Sequence, residues 1–112
     1  MADASFTAFV REQLAALPEV EFRRMFGGQG IYLGDVFFGI LYQGRLYFKT
    51  DAASRPDYEA AGMGAFRPNA KQCLPAYREV PANVLEDAAQ LCVWARRAAR
   101  CGKEQSKPKK RR

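Results

Sequence analysis

Between Val20 and Thr50, glycine falls at every break in a largely apolar run, and that punctuation constrains the fold more than any other feature. Val20–Phe26 runs into Gly27-Gly28, and Gly30–Leu33 stops at Gly34-Asp35. Val36–Tyr42 is followed by Gln43-Gly44, and Arg45–Lys49 closes the set. Glycine accepts the positive φ of tight turns, so the segment is expected to fold as a meander of antiparallel hairpins. The strand beginning at Val36 is apolar at both parities, with Val36, Phe38, Ile40 and Tyr42 on one side and Phe37 and Leu41 on the other. Such a strand needs cover on both faces. A helix or a second copy of the chain could supply the second cover. The last strand alternates, with Leu46 and Phe48 one way and Arg45, Tyr47 and Lys49 the other.

Helical spacing brackets this meander. Phe6, Phe9, Val10, Leu14 and Leu17 recur at helical intervals, with Asp3 or Ser5 as N-cap and Pro18 as the stop. Arg11, Glu12 and Gln13 then face water. Ser54-Arg55-Pro56-Asp57 reads as a capping serine ahead of a short helix ending at Gly62. Gly64, Pro68 and Asn69 read as a loop. A strand over Leu74–Val80 follows, which Pro75 would confine to a sheet edge. Pro81 opens the final helical stretch, with Asp87 as its main cap, Leu91, Trp94, Ala95 and Ala98 inward, and Arg96, Arg97 and Arg100 on the far side. The expected class is α+β: an antiparallel β-meander sheet packed with N-terminal, short central and long C-terminal helices.

A chain of 112 residues has room for one domain. Its formal charge of +6 is unevenly placed. Lys103, Lys107, Lys109, Lys110, Arg111 and Arg112 against Glu104 give +5, leaving +1 for the preceding 102 residues. The expected division is therefore a domain over 1–102 and a disordered basic tail over 103–112. The tail could aid solubility, contact phosphates of DNA or RNA, or be the remnant of a linker.

What is missing narrows the chemistry. Histidine is absent, which removes Ser-His-Asp and Cys-His pairs and the commonest metal ligand. Cys73, Cys92 and Cys101 are odd in number and form no C-x-x-C, so free thiols in a reducing cytoplasm are expected. No apolar run is long enough to span a membrane, and the start lacks the basic region of a secretory signal. Glu86 and Asp87 sit where a helix start explains them. No residue is nominated as catalytic, no metal or cofactor is expected, and the chain is read as a non-enzyme.

Three groups remain as candidates. The cluster Gly27-Gly28-Gln29-Gly30 matches neither phosphate-loop pattern and precedes a strand, so a bend or bulge explains it. Arg23 and Arg24 fall on opposite strand faces, and one is expected beside the core, paired with Glu21, Asp35 or Asp51. Arg45, Tyr47 and Lys49, with Tyr32 on a neighbouring strand, make a basic and aromatic face of the kind that stacks single-stranded bases.

The run Arg23-Arg24-Met25-Phe26-Gly27-Gly28-Gln29-Gly30-Ile31-Tyr32 resembles the N-terminal domain of the TfoX/Sxy family. The likeness continues through Gly44–Asp51, Arg55-Pro56, Tyr58–Gly62, Tyr77–Pro81, Leu85–Asp87 and Trp94–Ala98, covering nearly the whole chain to Gly102 in order. It implies a small α+β domain with an antiparallel sheet backed by helices. In longer members this domain precedes a helical one, and those proteins regulate competence genes in bacteria; this chain resembles the first domain standing alone. The resemblance brings no enzymatic activity or ligand. The expectation is a regulatory or interaction module with a protein partner or a homodimer. The alternative is nonspecific nucleic-acid binding through the tail and the Arg96, Arg97 and Arg100 face.

Overall fold

Gly34 and Gly44, at φ of +62° and +74°, close two hairpins where the sequence places them. The computed structural model describes residues 4–25, 27–69 and 71–106. Among these the elements run α1 (Ala4–Gln13), β1 (Val20–Met25), β2 (Gly28–Leu33), β3 (Val36–Tyr42) and β4 (Arg45–Lys49). Then come α2 (Arg55–Ala60), β5 (Ala65–Asn69), β6 (Gln72–Glu79), α3 (Ala82–Leu85) and α4 (Ala88–Ser106). The strands form one antiparallel sheet in the order β1-β2-β3-β4-β6-β5. The class is α+β, as expected.

The helices cover one face of this sheet. Val10, Leu14 and Leu17 from the N-terminal segment and Leu91, Ala95 and Ala98 from α4 meet Ile31, Phe38, Leu41, Leu46 and Phe48. Burying each large apolar side chain contributes about 1.5–3 kcal/mol, so this layer carries most of the stability. Alanines on α4 let the helix approach closely. At Gly102 the helix backbone lies against β3, for a Cβ there would be 2.7 Å from the Phe37 carbonyl oxygen.

Several expectations are corrected. Gly64, Pro68 and Asn69 do not make a plain loop: β5 occupies Ala65–Asn69, with register shifts either side of Phe66. Phe66, fully buried, anchors this irregular strand. In consequence β6 is not an edge strand; β5 is. Pro75 is tolerated because β4 pairs only with Tyr77–Glu79, and the β5 ladder skips from Arg78 to Leu74.

The face assignment within β3 also changes. Ile31 pairs with Gly39 while Tyr32 pairs with Phe37, so Phe38 is an extra residue, a β-bulge. The bulge reverses parity along the strand. Phe38 and Leu41 join the helix side, whereas Phe37, Ile40 and Tyr42 join a second cluster with Tyr47, Phe66 and Tyr77. Tyr47, Phe66 and Tyr77, from β4, β5 and β6, supply part of the second cover from within the chain, and Phe37 stays half-buried.

The last helical stretch is two helices, and Asp87 caps the second by accepting from the Gln90 amide at 3.1 Å. Ser54 does not cap α2 with its side chain. Instead its hydroxyl accepts from the Asp51 amide at 3.0 Å, and its own amide donates to Asp51 Oδ1 at 2.8 Å. Helix α4 continues past Gly102 to Ser106, so Lys103 is helical. Lys107, Lys109, Lys110, Arg111 and Arg112 lie outside the described residues.

Candidate functional site

The segment Arg23–Gly28 joins β1 to β2. Extended backbone sends Arg23 and Arg24 to opposite faces, but β1 is the sheet edge and both side chains are exposed. Neither lies beside the core, which corrects that expectation. Arg23 does pair with Glu21, Nη2 to Oε1 at 3.0 Å, and its guanidinium lies 4.2 Å over the Tyr32 ring. That bond to Glu21 raises the pKa of the Arg23 guanidinium above its ordinary value. Met25 ends β1, and Phe26 lies outside the described residues. Gly27, at φ +81°, makes the turn. Gly28 meets β3 so closely that a Cβ would overlap the Leu41 carbonyl oxygen. A strand follows, not a helix, so these glycines serve a hairpin.

Beside this hairpin, the helix-side face emerges from beneath α1. Arg24, Gln29 and Leu41 stand in one row across β1, β2 and β3. Together with Phe6 and Arg11 from α1 and Tyr42 from the end of β3, they border a groove of about 630 Å³. Arg11 is held 4.3 Å over the Phe22 ring. Gln29 has its Oε1 buried with no hydrogen-bond partner among the described residues. The sequence pattern places Arg11 only toward water and Gln29 only in a turn. Nothing in the sequence signals the groove, because it depends on which residues face each other across three strands.

The opposite face carries a different surface. A row of rings crosses the sheet: Tyr32 and Phe37 at 5.2 Å between centroids, then Phe37 and Tyr77 at 5.6 Å. Each end carries a cation, Arg23 over Tyr32 and Lys49 Nζ at 5.0 Å from the Tyr77 centroid. Tyr32 and Phe37 are half-buried, while Tyr77 is only 7% exposed. Burial pushes the Tyr77 hydroxyl up to about 12.

The expected basic and aromatic face is thus only partly assembled. Lys49 and Tyr32 take part. Tyr47 does not, being 8% exposed with its ring 4.8 Å from Phe66; burial, aided by Glu79, raises its pKa. Arg45 is engaged with Glu79 at 3.0 Å. With Arg23 on Tyr32 and Lys49 on Tyr77, the terminal rings already have a cation on one π-face, so the row is not an open stacking platform.

On α4, Arg96 and Arg100 are exposed, but Arg97 turns back to the body. Its Nη1 meets Asp57 Oδ2 at 2.9 Å, and its guanidinium lies 5.2 Å from the Trp94 ring centroid. Tyr58, buried beneath, packs on Trp94 at 4.8 Å, and its burial raises the pKa of its hydroxyl well above the ordinary value. The three arginines therefore do not form one face.

Cys92 and Cys101 are buried against different elements, Cys92 Sγ lying 3.6 Å from the Gln13 carbonyl oxygen and Cys101 hydrogen-bonding Asp51. Among the described residues, no group of three or more His, Cys, Asp or Glu side chains could hold a metal ion. No helix among them is long and apolar enough to cross a membrane.

Fold and surfaces together define a small α+β scaffold with one face under helices, one bearing a cation-ended aromatic row, and a groove at the β1–β2 hairpin. The chain belongs to the TfoX N-terminal domain family, whose sequence pattern matches residues 12–101. A search of curated proteins gives no match.

Proposed function

We propose that the chain is a non-enzymatic interaction domain of the regulatory kind that the family resemblance implies. It meets a protein partner through the sheet face opposite the helices. The observation that carries this is the Tyr32–Phe37–Tyr77 row with Arg23 and Lys49 at its ends. A half-buried apolar strip flanked by positive charge complements a protein surface whose apolar ridge is flanked by acids. Aromatic anchors at the centre of such a patch supply most of the binding energy, and the charges set orientation and encounter rate.

The competing proposal is nonspecific nucleic-acid binding through the basic tail and the Arg96 and Arg100 surface. Two comparisons separate them. Protein captured by the native chain should be lost on Phe37→Glu and retained on Arg96→Ala; capture unaffected by Phe37→Glu overturns the sheet-face proposal. DNA and RNA titrations over a salt series should show binding that disappears in a chain ending at Ser106. If the tail cations meet phosphates, log affinity falls against log salt by about 0.9 per phosphate. Sequence-selective binding by the shortened chain would sink the protein-partner proposal.

A further inference from the structure

We propose that the groove between α1 and the β1–β2 hairpin binds a small organic anion that carries a hydrogen-bond donor beside its charged group. The argument for charge is local. Arg11 and Arg24 both border the groove, no carboxylate borders it among the described residues, and neither guanidinium has an ion-pair partner there. Two like charges facing one concavity repel, and an anion between them turns that repulsion into attraction. The guanidinium fork suits carboxylate or phosphate oxygens in bidentate contact, and the Phe22 ring beneath Arg11 already restricts its orientation.

The second requirement comes from Gln29. Its buried Oε1 lacks a donor, and a buried acceptor left unmade is costly. Arg24 and Gln29 are cross-strand partners, so a turn of the Gln29 amide, whose Oε1 has no exposed surface in this arrangement, would bring that oxygen to a donor a bond or two from the anionic group while the charge meets Arg24. Phe6, Leu41 and Tyr42 offer an apolar wall for the remaining body of the molecule. A volume of about 630 Å³ falls within the range of small-molecule sites. A hydroxy acid and a sugar phosphate share this chemistry, an anionic head next to a hydroxyl.

The test uses the full chain, with amide chemical-shift mapping and calorimetry. One arm titrates malate, the other glycerol 3-phosphate and ribose 5-phosphate; glycerol and ribose are the uncharged comparisons. The expected result is saturable shifts at Gly27–Gln29 and Leu41–Gly44 in at least one arm, with Kd below about 1 mM, and none from the uncharged sugars. The arm that binds identifies carboxylate or phosphate as the source of charge. Arg24→Ala and Gln29→Leu should each weaken binding about tenfold with unchanged thermal melting. Arg24 is exposed, so its loss spares the fold. Shifts confined to residues 107–112, saturation by neither arm, or native affinity retained by both variants would overturn the proposal. Phe37→Glu should leave this binding intact, so its outcome is independent of the sheet-face proposal.

Discussion

Gly28 and Leu41 are in backbone contact: a Cβ on Gly28 would overlap the Leu41 carbonyl oxygen, and that oxygen belongs to β3, which has no room to withdraw. Gly28→Ala should therefore cost about 1–3 kcal/mol, and Gly28→Val should leave the chain unfolded. Gly34 is the comparison, since a Cβ there meets nothing within 4 Å. Only its positive φ opposes Gly34→Ala, at about 1–2 kcal/mol. Urea melts of the three variants rank them; a folded Gly28→Val chain would contradict the packing described.

Helix propensity and packing disagree at Gly102. In a free helix, alanine is better than glycine by about 1 kcal/mol. Here the added methyl would lie 2.7 Å from the Phe37 carbonyl oxygen and 3.0 Å from Val36. Packing should win, and Gly102→Ala should lower the melting temperature. A rise would mean that α4 can lift off β3 at little cost.

Trp94 is the sole tryptophan, and it lies between Tyr58 and Arg97. Arg97→Ala removes the ion pair to Asp57 and the guanidinium on the indole, and should destabilise the chain by about 1–2 kcal/mol. Exposure of the ring should move its emission to longer wavelength. Arg97→Lys retains the charge but not the planar fork, so an intermediate loss is expected. Unchanged emission in Arg97→Ala would refute the contact.

Alkaline pH should unfold the domain in a defined window. Tyrosine in an unfolded chain ionises near about 10, while Tyr77 is pushed up to about 12 and Tyr58 is raised further. The folded state holds these protons longer than the unfolded one. Their contribution is complete below about pH 10 and is lost as pH climbs through the folded values. Circular dichroism with tyrosinate absorption should show a cooperative step above pH 10, with Tyr77→Phe shifting it upward. Asp51 acts in the opposite sense, because the Ser54 amide holds its carboxyl below the usual range. Its contribution is present at neutral pH and lost as pH falls through its folded value. Five tyrosines titrating together near pH 10 without unfolding would refute the buried environment.

Much of the architecture is written locally. The glycine breaks mark β2, β3 and β4, and Asp87 marks the start of α4, because each acts through neighbouring backbone; the first helix instead ends at Gln13, short of the stop read at Pro18. Strand β5 was hidden for the same reason. Pro68 and Asn69 carry turn chemistry, yet they lie in β5, which pairs with β6 and is anchored by Phe66 buried against Tyr42 and Tyr47. The candidate surfaces were less legible than the fold. Tyr32 and Lys49 could be placed on one face by alternation, but Tyr47 and Phe37 could not be sorted without knowing the bulge. Arg97 looks like its neighbours in sequence; Asp57, forty positions earlier, separates it from them.

The extra residue at Phe38 has a consequence for how this strand can vary. Above and below it, β3 feeds two different apolar layers from one backbone. Substituting one apolar residue for another along β3 changes how well a layer is filled. Removing or adding a single residue at the bulge would instead exchange the layers, sending Ile40 toward the helices and Leu41 toward the aromatic face. The strand tolerates change in what it is made of far better than change in how many residues it has.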